Sequence, residues 1–412
     1  MTSTACRGSV GFFHGGTMLL SLALLFLYGL VFGWICKKIH LPPLIGMLGA
    51  GILLGPYALN LIDESILTNS SSIRRIALVI ILIRAGLSLN LADFKKVGRP
   101  AVLLCFVPAC FEIAGMALLA RPLLNLTLPE SLLLGAVIGA VSPAVIVPRM
   151  IKLIDRGYGT KKSIPQMILA GASLDDVFVI VLFSVFASFA ETNVFSPVLL
   201  IKIPVSLVTG TLIGIALGFA FGFLFRKCRM PSVTKTLVLL SVSFLLLALE
   251  DADFFPFSGL VSVVLMHIFL KRKTPEVQAE LSPKFKALWQ GAEILLFSLV
   301  GACVNPAYAV QAGGKALLLL LFVLLCRMLG VFVCLVKTNL NGRERLFCML
   351  AYLPKATVQA AIGGIPLAMG LACGETILTV AVLSILVTAP VGAFLIDLTY
   401  PKLLDAKKTV VL

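Results

Sequence analysis

The sequence predicts an all-α polytopic membrane protein with about thirteen transmembrane helices. Hydrophobic residues make up 59% of the 412 residues and charged residues 13%, whereas soluble globular domains are about half apolar and about a quarter charged. The hydrophobic residues also fall into successive runs that resemble membrane spans, separated by short polar segments. Because no segment between the runs is long enough for a soluble domain, we expect residues 1–412 to form one membrane unit.

Thirteen apolar runs are predicted as spans, of which the second, eighth and ninth are short. The first run lacks a convincing small-residue cleavage site before Lys37, so we interpret it as a retained helix and not a signal peptide. The predicted spans cover residues 17–35, 41–57, 75–90, 100–120, 131–150, 164–190, 197–225, 236–249, 255–270, 287–304, 316–336, 346–370 and 377–395.

The basic residues predict the orientation of the chain. Of the 34 Lys and Arg residues, 25 follow odd-numbered spans and five lie at the N-terminus or after even-numbered spans. Because cytoplasmic loops are rich in Lys and Arg, we expect the N-terminus outside and the C-terminus in the cytoplasm, in the cell membrane. The net charge of +15 is scattered in short groups, which argues against a nucleic-acid partner. The longest connector, residues 271–286, is expected to be a cytoplasmic connector or surface helix.

The ten cysteines and three histidines show no metal-binding pattern. Most cysteines lie inside apolar runs, without the C-x-x-C spacing of a metal site or the density of a disulfide scaffold. The histidines His14, His40 and His267 are far apart in the sequence. We therefore expect no cofactor and no resident metal.

Asp175 and Asp176 lie together in predicted span six, which is otherwise apolar or small. Each ionised Asp at the centre of a transmembrane helix costs about 2.5–3.5 kcal/mol on insertion scales, and adjacent carboxylates also repel each other. We therefore interpret the pair as an ion and proton site. The alternative is a buried structural charge that is matched by a basic residue of a neighbouring helix.

Spans five and twelve are predicted to be interrupted. Pro143 lies in the middle of span five, and span twelve contains Pro354 followed by Gly363 and Gly364. Proline removes a backbone donor and clashes with the preceding turn, so backbone groups are freed within the membrane. Pairing spans two to six with spans nine to thirteen aligns the two interruptions, which is typical of two inverted five-helix repeats. Two ordinary proline kinks are the alternative.

The charges inside the spans fall at two depths if each helix rises about 1.5 Å per residue. Arg84 and Glu293 lie roughly 9 Å from the cytoplasmic ends of their spans, and we predict that they form a structural pair. A central group lies at roughly 13–18 Å, near the middle of a hydrocarbon core about 30 Å thick, and contains Glu112, Asp175, Asp176, Arg327 and Lys355.

Neighbouring carboxylates do not ionise independently, so a proton and a small cation can compete for the same oxygens. Hard cations bind oxygen ligands. The sequence offers the Asp176 carboxylate, the Ser142 hydroxyl and the backbone carbonyls freed at the two interruptions. Because a bound proton excludes the cation and a bound cation excludes the proton, this site predicts exchange of one for the other.

These motifs resemble the NHA branch of the sodium/proton antiporters, in the cation:proton antiporter superfamily. The resemblance extends through most of the chain in the same order, and its last three motifs are specific. It is carried by Arg84-Ala85-Gly86-Leu87, Glu112, Ala140-Val141-Ser142-Pro143-Ala144-Val145, Ile164-Pro165-Gln166-Met167, Ser173-Leu174-Asp175-Asp176, Arg327 and Pro354-Lys355-Ala356-Thr357-Val358-Gln359-Ala360.

The resemblance implies an NhaA-like fold in which two broken helices cross at mid-membrane. It implies that Asp176 carries the cation, that Asp175 assists it and that Arg327 is the basic partner facing the site. It also implies a homodimer. The scaffold and dimer part would comprise about residues 17–91 and 236–305, the moving core about 99–190 and 312–397, and a linker helix about 197–225.

The sequence departs from the family at Arg327. Many relatives with two aspartates carry Lys there, and arginine is effectively never deprotonated. Because Glu112 offers Arg327 a permanent partner, this departure bears on the number of protons exchanged per cation. Lys355, beside the second interruption, is expected to neutralise the carbonyl end of a half-helix.

Together these observations predict a secondary active antiporter, not an enzyme, that exchanges Na⁺ or Li⁺ for H⁺ by alternating access in the lipid bilayer and serves pH homeostasis. Exchange of K⁺ for H⁺ is an alternative, although such relatives more often have Gln before the carrier Asp. A bile-acid-type organic anion symporter of the same architecture would need a roomier, basic site. A channel would need rings of acceptors, and an intramembrane aspartyl hydrolase would need its two aspartates on different helices.

Overall fold

The computed structural model describes residues 17–88, 97–192, 197–228, 230–252 and 254–406. Besides a 3₁₀ turn at Thr160–Lys162 and an isolated bridge between Tyr158 and Ala406, the regular elements in these ranges are α-helices. In chain order they are α1 Met18–Lys38, α2 Pro43–Leu54, α3 Glu64–Thr68, α4 Ser70–Ser88, α5 Arg99–Leu104, α6 Val107–Leu124, α7 Leu128–Ile138, α8 Pro143–Asp155, α9 Ile164–Thr192, α10 Pro197–Lys227, α11 Ser232–Asp251, α12 Gly259–Lys273, α13 Pro275–Ala302, α14 Pro306–Leu335, α15 Gly342–Ala351, α16 Thr357–Ile362, α17 Ile365–Ala368 and α18 Gly374–Leu403.

Several sequence-based predictions concern residues outside the described ranges. They are the end of span three at residues 89–90, the end of the first scaffold segment at residues 89–91, the side chain of Ser173, and the basic residues Arg7, Lys95, Lys96, Arg229, Lys407 and Lys408.

The protein is an all-helical, polytopic membrane protein, as predicted. Within the described ranges, eight segments are long and apolar enough to cross a membrane. The count of thirteen spans and the inverted-repeat arrangement remain predictions. The eight segments are Met18–Lys38, Arg99–Leu124, Leu128–Asp155, Ile164–Thr192, Val205–Lys227, Ser232–Asp251, Gly313–Leu335 and Gly374–Leu403, and Pro43–Leu54 and Thr357–Ala368 are shorter apolar helices.

Predicted span four is divided in the structure, which the sequence analysis did not anticipate. The chain leaves the helix at Cys105 and Phe106, between α5 and α6. Pro108 has no N–H to donate to the carbonyl of Leu104 four residues earlier, so a continuous helix would lose that hydrogen bond. Glu112 follows Phe106 by six residues and lies on α6, so the direction that α6 takes after the division determines where the Glu112 side chain lies.

Most of the segment predicted at residues 271–286 as a cytoplasmic connector or surface helix is helical and continuous with the helix of predicted span ten. After a cap at Thr274, α13 runs without interruption from Pro275 to Ala302. Its buried residues Val277, Leu281, Phe285 and Trp289 recur every four positions. This spacing places one apolar face of the extended helix against the protein, and that packing explains why the segment is helical instead of a separate connector.

Two capping boxes start the helices that lead into the site. Thr127 and Glu130 cap α7, and Asn341 and Glu344 cap α15, each pair with reciprocal side-chain and backbone contacts. Each box satisfies backbone donors that the first turn would otherwise leave unpaired. Both helices therefore have fixed starting points, and both end at an interruption.

Glycine allows α2 to pack closely against α13. A Cβ atom on Gly51 would overlap the carbonyl oxygen of Ser298 and lie 2.6 Å from its carbonyl carbon. A Cβ on Gly301 would likewise overlap the carbonyl of Leu48. Small residues permit such close backbone approach in membrane helices, where packing contributes much of the association energy.

We predict that Gly51→Ala lowers the free energy of unfolding by about 1–3 kcal/mol, because the added methyl group collides with backbone that cannot move aside. Gly49→Ala, two residues away on the same helix, meets no atom within 4 Å. The control should be neutral or stabilising by up to about 1 kcal/mol. Melting temperatures in detergent measure both, and equal values for the two variants would contradict the proposed close approach.

Candidate functional site

The candidate site forms where two interrupted helices meet. The first interruption comprises residues 139–142, between α7 and α8, and Pro143 is the first residue of α8. The second comprises residues 352–356, between α15 and α16, and contains Pro354. Both prolines named from the sequence therefore lie at the edge of, or within, a non-helical segment.

Hydrogen bonds join the two interruptions directly. The backbone N–H of Ser142 donates to the carbonyl of Pro354 at 2.8 Å. The side-chain amide of Gln359, on α16, donates to the carbonyls of Ile138 at 3.0 Å and Ala140 at 2.9 Å. Backbone groups that each interruption frees are therefore satisfied by the other interrupted segment, as a lipid-embedded site requires.

Arg327, on α14, connects both interruptions to the acidic residues. Its guanidinium is 0% exposed. It donates to the Glu112 carboxylate at 2.6 Å, to Asp175 Oδ2 at 2.8 Å and to the carbonyl of Tyr352 at 2.7 Å. It also donates to the carbonyl of Gly139. One planar side chain thus neutralises two carboxylates and caps one carbonyl from each interruption.

Lys355 lies in the second interruption and contacts the same acidic residue as Arg327. Its Nζ donates to Glu112 Oε2 at 2.6 Å, and its backbone N–H donates to Thr388 Oγ1 at 2.8 Å. The sequence predicts that Lys355 neutralises the carbonyl end of a half-helix. In the structure Arg327 contacts the freed carbonyls, and Lys355 forms a buried ion pair with Glu112.

The two aspartates have different surroundings. Asp175 accepts from the backbone N–H of Val141 at 2.7 Å and from Arg327. Asp176 is 5% exposed, and in the described part of the chain it forms no ion pair and its Oδ1 has no hydrogen-bond donor. Consecutive residues of a helix point about 100° apart, which explains why only one of the two aspartates reaches Arg327.

The site also contains oxygens that no described donor occupies. Ser142 precedes α8, and its buried hydroxyl has no hydrogen-bond partner among the described residues. The same holds for the Thr357 hydroxyl, the Gln359 Oε1 atom and Asp175 Oδ1. Thr357 and Gln359 were not predicted as site residues, although a polar residue inside an apolar run is a signal that could have indicated them.

Four other predicted residues lie away from this cluster. The guanidinium of Arg84 lies over the ring of Trp289, 5.7 Å from its centroid, and Trp289 is a hydrogen-bond partner of Glu293. The direct pairing of Arg84 with Glu293 remains a prediction. Gly363 and Gly364 form the turn between α16 and α17, at the far end of the half-helix from Pro354.

A cavity of about 500 Å³ approaches the site from one end of the helix bundle. Its lining includes Ile180, one helical turn and about 6 Å along α9 from Asp176. We call this cavity the vestibule, and it is bounded by the beginning of α4, the ends of α9 and α11, and residues on either side of the Gly363 turn, including Arg75, Leu78, Ile180, Ser184, Ile362 and Ile365.

Comparisons with known proteins agree with this arrangement. The model of the family described as "Sodium/hydrogen exchanger, transmembrane" matches residues 22–399. "Sodium/hydrogen exchanger 9B2" of Mus musculus is 34% identical over 385 residues, which cover 89% of this chain and 69% of that protein. The Homo sapiens protein of the same name is 35% identical over 385 residues, covering 89% and 70%.

A solved structure shows the same fold. The structure of the sodium proton antiporter MjNhaP1 from Methanocaldococcus jannaschii at pH 8 superimposes on this chain with a TM-score of 0.82. The match covers 93% of this chain and 97% of that chain, at 22% sequence identity. At this level of identity the likeness describes the arrangement of the helices and not the chemistry of the site.

We predict that Arg327→Lys destabilises the protein although it retains the positive charge. A single ammonium group cannot reach the acceptors that the guanidinium contacts, so buried acceptors lose their donors at about 1–3 kcal/mol each. Arg327→Gln, which also removes the charge, should cost about 3–5 kcal/mol. Exposed Arg121→Lys is the matched control and should change the unfolding free energy by less than about 0.5 kcal/mol. Thermal or denaturant unfolding in detergent measures these differences. A stable Arg327→Lys variant would show that the several N–H donors of the planar guanidinium are not required.

Proposed function

This chain belongs to the sodium/hydrogen exchanger family, and we propose that it exchanges Na⁺ or Li⁺ for H⁺ across a membrane by alternating access. Cation and proton compete for Asp176. The family is one of transporters, so no bond-making chemistry is assigned to the site. We further propose that the chain acts as a homodimer in the cell membrane, with its N-terminus outside and its C-terminus in the cytoplasm.

The observation that carries this proposal is the charge balance of the buried cluster. Glu112, Asp175 and Asp176 can each carry a negative charge, whereas Arg327 and Lys355 carry the positive charges. Arg327 pairs with Glu112 and Asp175, and Lys355 pairs with Glu112. When all five groups are ionised, one negative charge is left, and Asp176 is the carboxylate without a basic partner. A buried charge of this kind requires a counter-ion, which a proton or a cation can supply.

The oxygens at the crossing favour a small, hard cation. Asp176 provides a carboxylate, and Ser142 provides a hydroxyl without a hydrogen-bond partner in the described chain. Asp175 Oδ1 is a further oxygen without a donor. Oxygen ligands of these kinds suit hard cations. The basic residues are held by acidic partners, which disfavours binding of an organic anion by the same site.

Alternating access requires the site to open to each side in turn, and the vestibule provides a route to one side. Its walls come from α4, α11 and α12 on one side and from α9, α16 and α17 on the other. We assign the first set to the scaffold at about residues 17–91 and 236–305, and the second to a moving core at about 99–190 and 312–397. In the proposed orientation, the vestibule opens to the outside.

We predict that Asp176→Asn abolishes exchange, because an amide neither titrates nor neutralises a bound cation. The measurement is proton flux in proteoliposomes driven by Na⁺, Li⁺ or K⁺, which also distinguishes the cations. Asp397→Asn is a matched control, since Asp397 lies outside the cluster and pairs with Arg149 at 3.2 Å and Lys152 at 3.6 Å. The control should retain exchange. Flux in Asp176→Asn above about a tenth of wild type would remove Asp176 from the carrier role.

We also predict one-for-one exchange, in which the membrane potential supplies no net drive. Arg327 and Lys355 are both paired with Glu112 or Asp175. We therefore expect that Asp176 alone gains or loses a proton or a cation during the cycle. If a second proton moved, each cycle would transfer one net charge, worth about 2.3 kcal/mol per 100 mV. The test is Na⁺-driven proton flux at a fixed pH gradient under an imposed potassium–valinomycin potential. A reversal point that shifts with voltage would contradict electroneutral exchange.

A further inference from the structure

Arg74 is a buried arginine outside the ion-site cluster. It lies near the start of α4 and is 2% exposed. Its Nε donates to the carbonyl of Ser70 at 3.2 Å, and its Nη1 has no hydrogen-bond partner among the described residues. The next residue, Arg75, instead forms two hydrogen bonds of 2.7 Å with Asp251. A buried guanidinium without a carboxylate partner is costly, so its position calls for another physical cause.

The guanidinium packs against the turn that ends α16. A Cβ atom built on Gly364 would overlap Arg74 Nη1 and lie 2.8 Å from Nη2 and 2.9 Å from Cζ. All three of the nearest atoms belong to Arg74. Gly364 has φ −96° and ψ 0°, which other residues adopt, so a side chain there would fit the backbone but would displace the Arg74 guanidinium.

The turn offers partial negative charge to this guanidinium. Pro366 has no N–H to donate to the carbonyl of Ile362 four residues earlier, so the end of α16 lacks one of its helical hydrogen bonds. Carbonyls at helix ends favour nearby cations. Arg74 is thus placed to stabilise the end of the half-helix whose other residues, Thr357 and Gln359, lie at the ion site.

This contact crosses the boundary between the two proposed parts of the protein. Arg74 belongs to the scaffold, whereas Gly364 belongs to the moving core. Ile362 and Ile365, on either side of the turn, line the vestibule together with Leu78 of α4. The contact therefore lies beside the lining of the vestibule. A movement of the core along the scaffold would separate Arg74 from Gly364.

We propose that Arg74 is a positioning residue for transport, which holds the Gly364 turn of the core against the scaffold in the conformation whose vestibule is open. The inference rests on the proposed exchange function and on the division into scaffold and core. A contact made in one conformation favours that conformation by its own free energy. The apparent cation affinity measured from one side of the membrane falls when a smaller fraction of the protein is open to that side.

The test compares the half-saturating Na⁺ or Li⁺ concentration on the two sides of the membrane, in right-side-out and inside-out vesicles. Arg74→Met keeps much of the side-chain length and removes the charge. It should weaken apparent affinity on the vestibule side by roughly fivefold and leave it equal or stronger on the other side. Arg74→Lys should lie between wild type and Arg74→Met. A purely structural defect would instead reduce transport from both sides together.

Gly364→Ala disrupts the same contact from the other residue. If Arg74→Met does not reach the membrane, the affinities of Gly364→Ala on the two sides test the role of the contact instead. The added methyl group collides with the guanidinium, so the same sidedness is expected. The Arg74→Met/Gly364→Ala double variant should show less than the sum of the single effects, because both changes disrupt one contact. Lys235→Met is the matched control, since Lys235 is buried at the start of α11 and pairs with Glu280 of α13 away from the vestibule lining, and opposite changes on the two sides are not expected.

Failure of the Arg74 inference and failure of the proposed function give different results. If the wild-type chain exchanges ions but the Arg74 variants change affinity equally on both sides, the role of Arg74 is overturned and the exchange function stands. Additive effects in the double variant would lead to the same conclusion. Absence of any cation-dependent proton flux in the wild-type chain would overturn the proposed function, and the inference with it.

Discussion

The buried guanidinium of Arg327 is the interaction on which the rest of the site depends. Two helices are interrupted inside a membrane protein, and each interruption frees carbonyls that water cannot satisfy. Two carboxylates are also buried beside them, and each requires a positive partner. Arg327 meets both requirements, since it contacts Gly139 and Tyr352 as well as Glu112 and Asp175. One side chain therefore contacts both interruptions and both acids, and Asp175 has no other basic partner in the described part of the chain.

This arrangement separates the roles of residues that look equivalent in the sequence. Asp175 and Asp176 are adjacent carboxylates on one helix, yet Asp175 is held by Arg327 and the N–H of Val141. Glu112 is held by two bases, at 2.6 Å each. These pairs restrain the polar cluster, and in the proposed exchange they leave Asp176 as the carboxylate that takes up the proton or the cation. A rigid framework around one variable group lets the site change its charge without rearranging its other members.

The sequence was sufficient to locate these residues but not to pair them. An ionisable residue or a proline inside an apolar run is visible locally, which is why Asp176, Arg327, Lys355 and Pro354 were found. The acidic partners of Arg327 and Lys355 lie 152 to 243 residues away along the chain, so no local pattern indicates which base meets which acid. The interruption at Cys105 was missed because Pro108 falls just after it, near the start of a helix where proline is ordinary. The turn at Gly363 was visible as two glycines, whereas its contact with Arg74 depends on the packing of distant helices.

The half-helix α16 connects the ion site to the boundary along which the core would move. At one end Gln359 donates to carbonyls of the other interruption, and at the other end the Gly364 turn lies against Arg74. The helix has six residues and a rise of about 9 Å, so a displacement at either end must appear at the other. We expect a short helix with polar contacts at both ends to move as a rigid unit. In the proposed exchange, α16 is therefore the element through which a change at the crossing of the two interruptions would reach the contact with α4.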